Sequence, residues 1–431
     1  MSRWMWVLHR LMRQLWLRAT LIGGLGVLAA ILAAVVERFI PWELPDFATS
    51  DAVDSILGII ASSMLAVTTF SLSVMTSAYG SATTNVTPRA TKLMMEDRVT
   101  QNVLSTFIGS FLFGIVGIVV LKTGAYGDRG RAVLFIVTIA VIALIVVSLL
   151  RWIDYLTRFG RVGETTDRVE NATRRALEAR LEAPVLGGQP LTGGEDEVPA
   201  TACPVLAAKV GYIQHVDVPA LSQCCERFGV DLYVAVLPGT FVYRDTALAR
   251  HGLPEAGDLE PNAAEDLLGS VRRAFTIGDE RSFDQDPRFG LAVMSEIGSR
   301  ALSPAVNDPG TAIDVIGRTT RLLDTWASGV ADRPADAPEI SFPRVHIPPL
   351  KAADLFEDAF MLMARDGAGL IEVQLRLQKA LAALARTGDE PFKVAARRQA
   401  ELALARAEAA MPLEADRQRL RAAIPDKPGA G

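Results

Sequence analysis

The residues best suited to chemistry fall in two places. In LSPAVNDPGT (302–311), Ser303, Asn307 and Asp308 gather just after Arg300. A nucleophilic serine needs an adjacent base, and no histidine lies near Ser303 in sequence. At facing helix ends the same four residues suit contact with an anion, a polar ligand or a partner surface. They also suit a plain structural turn. Ser303 precedes Pro304 and is pushed out of the helical region, and Asn307-Asp308-Pro309 restarts a helix. Metal chemistry has weaker material. Cys203, His215, Cys224 and Cys225 are of ligand type, but adjacent cysteines rarely match tetrahedral spacing. The chain has no HExxH and no GxxxxGK[ST]. The expectation is no enzyme, no metal and no cofactor, and an odd set of three cysteines makes no disulfide framework.

The second place is SSMLAVTTFSLSVMTSAYGSATTN (62–85), apolar and uncharged yet rich in hydroxyls. On a helix, Ser55, Ser62, Thr69, Thr76 and Thr83 recur every seven positions, with Ala66, Ser73, Ser77 and Gly80 between them. They form a stripe roughly 120° wide. Leu57, Ile60, Met64, Val67, Val74, Met75 and Ala78 occupy the opposite face. Small and hydroxylated residues let helices pack closely. They also suit the wall of a water-filled conduit, because a hydroxyl donates and accepts without a fixed charge. Ser55, Ser62, Thr69, Ser73, Thr76, Gly80 and Thr83 are therefore candidate pore-lining residues. Asn85, Arg89, Lys92 and Asp97 are candidates for its inner mouth or gate, against the alternative of a topological stop with snorkelling cations.

These residues need elements to hold them. Four windows, 19–36, 55–79, 103–121 and 132–150, are apolar, free of charge and proline, and long enough to span a bilayer. Met1–Arg18 reads as a basic amphipathic helix on the membrane surface, with tryptophans at headgroup depth. Lys and Arg number ten on one side of the spans and four on the other, which puts both termini in the cytoplasm. With no ionisable side chain in any span, a carboxylate relay for coupled transport is disfavoured. Residues 151–186 read as a helical stalk, 187–201 as a Gly- and acid-rich linker, 202–250 as a small mixed α/β module and 251–431 as mostly helical. PRVHIPPL (343–350) reads as an edge strand, and residues 230–243 as two strands turning at Pro238-Gly239. The net charge of −5 over 431 residues gives nucleic-acid binding no support.

Two stretches, TNVTPRATKLMMEDRVTQNVLSTFIGSFLF (84–113) and RFGLAVMSEIGSRALSPAVNDPGTAIDVI (288–316), resemble a bacterial membrane-protein family known as domain-of-unknown-function family 2254. VGYIQHVDVPAL (210–221) and LPGTFVY (237–243) agree more weakly. The resemblance spans nearly the whole chain and implies four spans and a cytoplasmic remainder. It supplies no catalytic residue or ligand. Members often carry Ser-Pro-Arg where this chain has Thr87-Pro88-Arg89, which keeps a hydroxyl.

The sequence thus predicts an α-helical polytopic membrane protein (four transmembrane helices) with a cytoplasmic α+β, mostly helical, C-terminal domain, in a bacterial inner membrane. Its expected partners are the lipid bilayer, further copies of itself as a homo-oligomer, and a passively permeating ion or small solute. The competing reading is a membrane-anchored sensor or scaffold without a pore.

Overall fold

A single helix of 36 residues, Ser50–Asn85 (α2), carries the hydroxyl-rich segment and extends about 54 Å. Around it in sequence lie α1 (Leu15–Val36), α3 (Pro88–Met95), α4 (Arg98–Lys122) and α5 (Asp128–Arg158). The computed structural model describes Met5 and residues 15–36, 50–95, 97–123, 128–252, 260–331 and 340–423. Most of the expected interfacial helix over 1–18 lies outside the described residues. Among the described residues, three helices, within Ala52–Thr83, Val99–Lys122 and Gly130–Arg158, are long and apolar enough to cross a membrane. The expected count of four is thereby corrected to three. Within α1 (Leu15–Val36), the described residues contribute a shorter apolar helix, Leu17–Leu32.

Two compact units divide the chain, one of them comprising Val7–Thr84 and Thr91–Thr165. In this membrane unit glycines let backbones touch. A Cβ on Gly26 would stand 2.6 Å from the Gly109 carbonyl oxygen, and one on Gly114 would stand 3.0 Å from that of Leu57. Leu57, Ile60, Met64, Met75 and Ala82 turn one face of α2 into the unit. Ser71 shares that face, fully buried, and accepts a hydrogen bond from Trp152 Nε1 at 2.9 Å. Trp152, Tyr155, Phe159 and Tyr79 continue as a chain of ring contacts, with centroids 5.4, 5.1 and 5.6 Å apart.

The other unit takes Asn85–Ala90 and everything from Thr166 on. Its chain passes from α6 (Val162–Glu182) through β1 (Gly188–Pro190), β2 (Cys203–Leu206) and β3 (Gly211–Val216) to α7 (Val218–Phe228). Then come β4 (Leu232–Val234), β5 (Phe241–Val242), β6 (Ala247–His251), α8 (Pro261–Ala274), β7 (Phe275–Gly278), α9 (Pro287–Ala301) and α10 (Pro309–Ala331). β8 (Phe342–Ile347) precedes the closing helices α11 (Ala352–Asp366), α12 (Ile371–Leu384), α13 (Glu390–Ala410) and α14 (Glu414–Ala422). One sheet has the order β1-β8-β4-β6-β2, the other β5-β3-β7. Ile213, Leu221, Cys225, Leu232, Leu267 and Val345 belong to the core beneath them.

Three local expectations change. The 343–350 segment is an interior strand, flanked in parallel by β1 and β4. Its neighbour β1 comes from the stretch expected to be a linker. Pro238-Gly239 joins strands of different sheets and does not close a hairpin.

Candidate functional site

The hydroxyl stripe of α2 faces away from its own unit. Ser55, Ser62, Ala66, Thr69, Ser73, Thr76, Ser77, Gly80 and Thr83 are all exposed, in register with the buried face opposite. Large apolar residues flank it: Ile59 and Phe70 on one side, Leu65 and Leu72 on the other, each more than half exposed. The hydroxyl protons are already accommodated. Ser62 donates to Gly58 O (2.9 Å), Thr69 to Leu65 O (2.9 Å), Ser73 to Thr69 O (3.1 Å), Thr76 to Leu72 O (2.9 Å) and Thr83 to Tyr79 O (2.8 Å). Each hydroxyl oxygen keeps accepting capacity on the outer side. The face is tolerable against lipid and usable by water or a neighbouring helix.

The four expected mouth residues are divided between the two units. Asn85 and Arg89 fall in the C-terminal unit, Lys92 and Asp97 in the membrane unit. Asp97 caps α4, accepting from Thr100 N at 2.9 Å. Lys92 is half-buried in the last turn of α3. Arg89 donates Nη1 to Glu296 Oε1 at 2.9 Å, while Glu296 Oε2 is buried without a protein donor. Sequence reasoning missed Glu296 as a site residue, because a partner 207 positions away leaves no local signal.

The 302–311 corner is built first as a turn. The Ser303 carbonyl accepts from Val306 N (3.0 Å) and Asn307 N (2.8 Å), and Asp308 N donates to Ala301 O (2.8 Å). Asn307 takes φ +49, a left-handed conformation asparagine tolerates better than most residues. Asp308 spends both carboxylate oxygens on Thr311, accepting from its N (3.0 Å) and Oγ1 (2.6 Å). Those bonds hold its pKa below the ordinary value. Arg300 Nε is buried without a protein acceptor in the last turn of α9, where a cation is favoured by the helix dipole. The corner therefore offers exposed Asn307 and a half-buried Ser303, but no activated nucleophile.

A denser polar cluster lies at the other end of α9. Asp286, nearly fully buried, caps the helix through Phe289 N (3.0 Å) and takes Arg281 in a fork at 2.8 and 3.0 Å. Burial raises its pKa, against the opposing pull of Arg281. Arg288 bridges Asp358 (2.6 Å) and Asp354 (2.8 Å). Gly239 lies so close to the Asp286 carboxylate that a Cβ would collide with it. Arg180 donates Nη2 to Gln285 O (3.1 Å), and burial lowers its pKa to about 10. Gln285 Oε1 in turn accepts from Val216 N on β3 (3.0 Å). The stretches quoted for the family resemblance thus meet within the C-terminal unit, through Val216, Gly239, α9 and Arg89. Among the described residues, no cluster of His, Cys, Asp and Glu could hold a metal ion.

Three membrane-length apolar helices joined to a helix-rich unit with two small sheets define a helical membrane protein. The family described as predicted membrane protein (DUF2254) matches residues 12–383, and the chain belongs to that family. It is also similar, at 29% identity over 264 residues, to uncharacterised proteins of Mycobacterium bovis and Mycobacterium tuberculosis. That similarity covers 60% of this chain and 49% of each relative, so the chain spans about half the length of the curated relatives it matches. No solved structure matches.

Proposed function

We propose that the protein is an oligomeric, channel-like component of a bacterial inner membrane that passes ions or small solutes passively. Copies of α2 turn their hydroxyl faces toward a shared axis, and the C-terminal unit, on the cytoplasmic side, assembles or gates the path. The observation that supports this reading is the exposure of every stripe position from Ser55 to Thr83, opposite the buried face of α2. A face of small hydroxylated residues between apolar ridges is what close helix packing and a wettable wall both use. One helix cannot enclose a path, so oligomerisation is part of the proposal.

The test is flux through liposomes containing the purified protein, combined with its oligomeric state in detergent. Thr69→Leu and Thr76→Leu should leave the oligomer intact and reduce flux. Absence of flux from the wild-type oligomer, at every membrane potential applied, would overturn conduction. The pore-free sensor reading would then take its place.

A further inference from the structure

α7 and α8 run antiparallel. Asp217 N, at the start of α7, donates to Ala274 O at the end of α8 (2.9 Å), and Arg227, near the end of α7, pairs with Asp266 within α8 (2.6 Å). A cleft of about 370 Å³ opens along their outer side, within the range of roughly 300–1,000 Å³ typical of small-molecule sites. Ala220, Cys224 and Ala274 contribute apolar or thiol surface, and Phe228 stands at one end. Arg227 comes from one helix and Arg273 from the other, their side chains 64% and 65% exposed.

Charge in the cleft is arranged unevenly. Both guanidinium groups draw on the same carboxylate, Asp266, at 2.6 Å from Arg227 and 4.0 Å from Arg273. Arg273 also donates to Ser270 Oγ at 2.8 Å. Asp217, the acid that lines the cleft, accepts from Ala220 N as the cap of α7 (3.1 Å). The Cys224 thiol feels both arginines more strongly than Asp266, although burial still raises its pKa. A buried thiol held protonated is a poor nucleophile. The cleft has the makings of a receptor and lacks those of a covalent catalyst.

We propose that this cleft binds a small organic anion, with its phosphate or carboxylate group between Arg227 and Arg273 and its apolar body against Cys224 and Phe228. Guanidinium forks match planar or tetrahedral oxyanions and hold them by paired, charge-assisted bonds. Exposed arginine side chains can trade part of their contact with Asp266 for such a ligand without unfolding anything. The inference stands apart from the permeation proposal, since it needs neither a pore nor an oligomer.

Isothermal titration of the purified full chain with phenyl phosphate, and separately with benzoate, tests it and separates the two oxyanions. Saturable binding of either is expected, weakened about tenfold or more by Arg227→Gln and by Arg273→Gln. Arg244→Gln, at an exposed position outside the cleft, should change nothing. Inorganic phosphate should bind more weakly than phenyl phosphate, and Phe228→Ala should narrow that gap. Melting curves matching wild type show that each variant is folded. Failure of both probes to bind, or affinities unchanged in both arginine variants, would overturn the proposal.

Discussion

At the scale of single residues, Gly239 and Asp308 separate fold-holding from ligand-ready chemistry. Gly239 combines φ +95 with a carboxylate where its Cβ would be. Gly239→Ala should therefore destabilise the C-terminal unit by about 2 kcal/mol or more, through strain and the displaced Asp286 fork. Thermal or denaturant melting reads this directly. Asp308 behaves differently because it is exposed. Its bonds to Thr311 amount to a helix cap worth about 1 kcal/mol, and solvent screening leaves little beyond that. Its folded pKa is depressed, so the contribution is present above the unfolded pKa of about 3.9 and is lost as pH falls through the lower folded value. Asp308→Ala should melt earlier than wild type at pH 7, and the difference should shrink below about pH 4. A difference that grew on acidification would show that the carboxylate is not held by Thr311. The sequence made the capping role legible through Asp-Pro-Gly-Thr. It could not show that this role uses both carboxylate oxygens.

Among the elements, hydropathy located the three long spans because an uncharged run of that length has few other destinations in a protein. Helical periodicity also divided α2 into two faces, but it could not say which surroundings each face meets. Strand placement was harder. β1 is only Gly-Gln-Pro and carries no alternation. β8 alternates, with Val345 and Ile347 buried on either side of half-buried His346, and its interior place was hidden because its parallel partners lie far earlier in the chain. The two faces of the membrane unit predict opposite mutational behaviour. Gly26→Val drives a side chain into the Gly109 carbonyl and should lower the melting temperature of the detergent-solubilised monomer. A Cβ on Gly80 meets nothing within 4 Å. Gly80→Val should leave the monomer's melting unchanged and act on association or flux alone. Equal destabilisation by both would mean that the stripe is packed within the monomer.

For the molecule as a whole, the informative feature is that Asn85–Ala90, a stretch between two membrane helices, clusters with the C-terminal unit. Val86, Thr87 and Ala90 are buried, and Thr87 Oγ1 accepts from Ala90 N at 3.2 Å. Arg89 is more than half exposed, so its pair with Glu296 would ordinarily be worth under about 1 kcal/mol. Glu296 changes that estimate, because its side chain is only 26% exposed and one of its oxygens is buried without a donor. Removing the arginine strands a carboxylate that water reaches poorly, whereas removing the carboxylate leaves an arginine that solvent accepts. Arg89→Ala should therefore destabilise more than Glu296→Gln, an asymmetry that a symmetric surface pair would not show. The exchanged pair Arg89→Glu with Glu296→Arg should recover part of the loss seen in Arg89→Glu alone. Melting of the purified protein measures both effects without reference to flux. If the same variants shift liposome flux in the order of their melting, the connector transmits the state of the C-terminal unit to α2. If melting follows the predicted order and flux does not move, the pair fastens the connector and plays no part in gating.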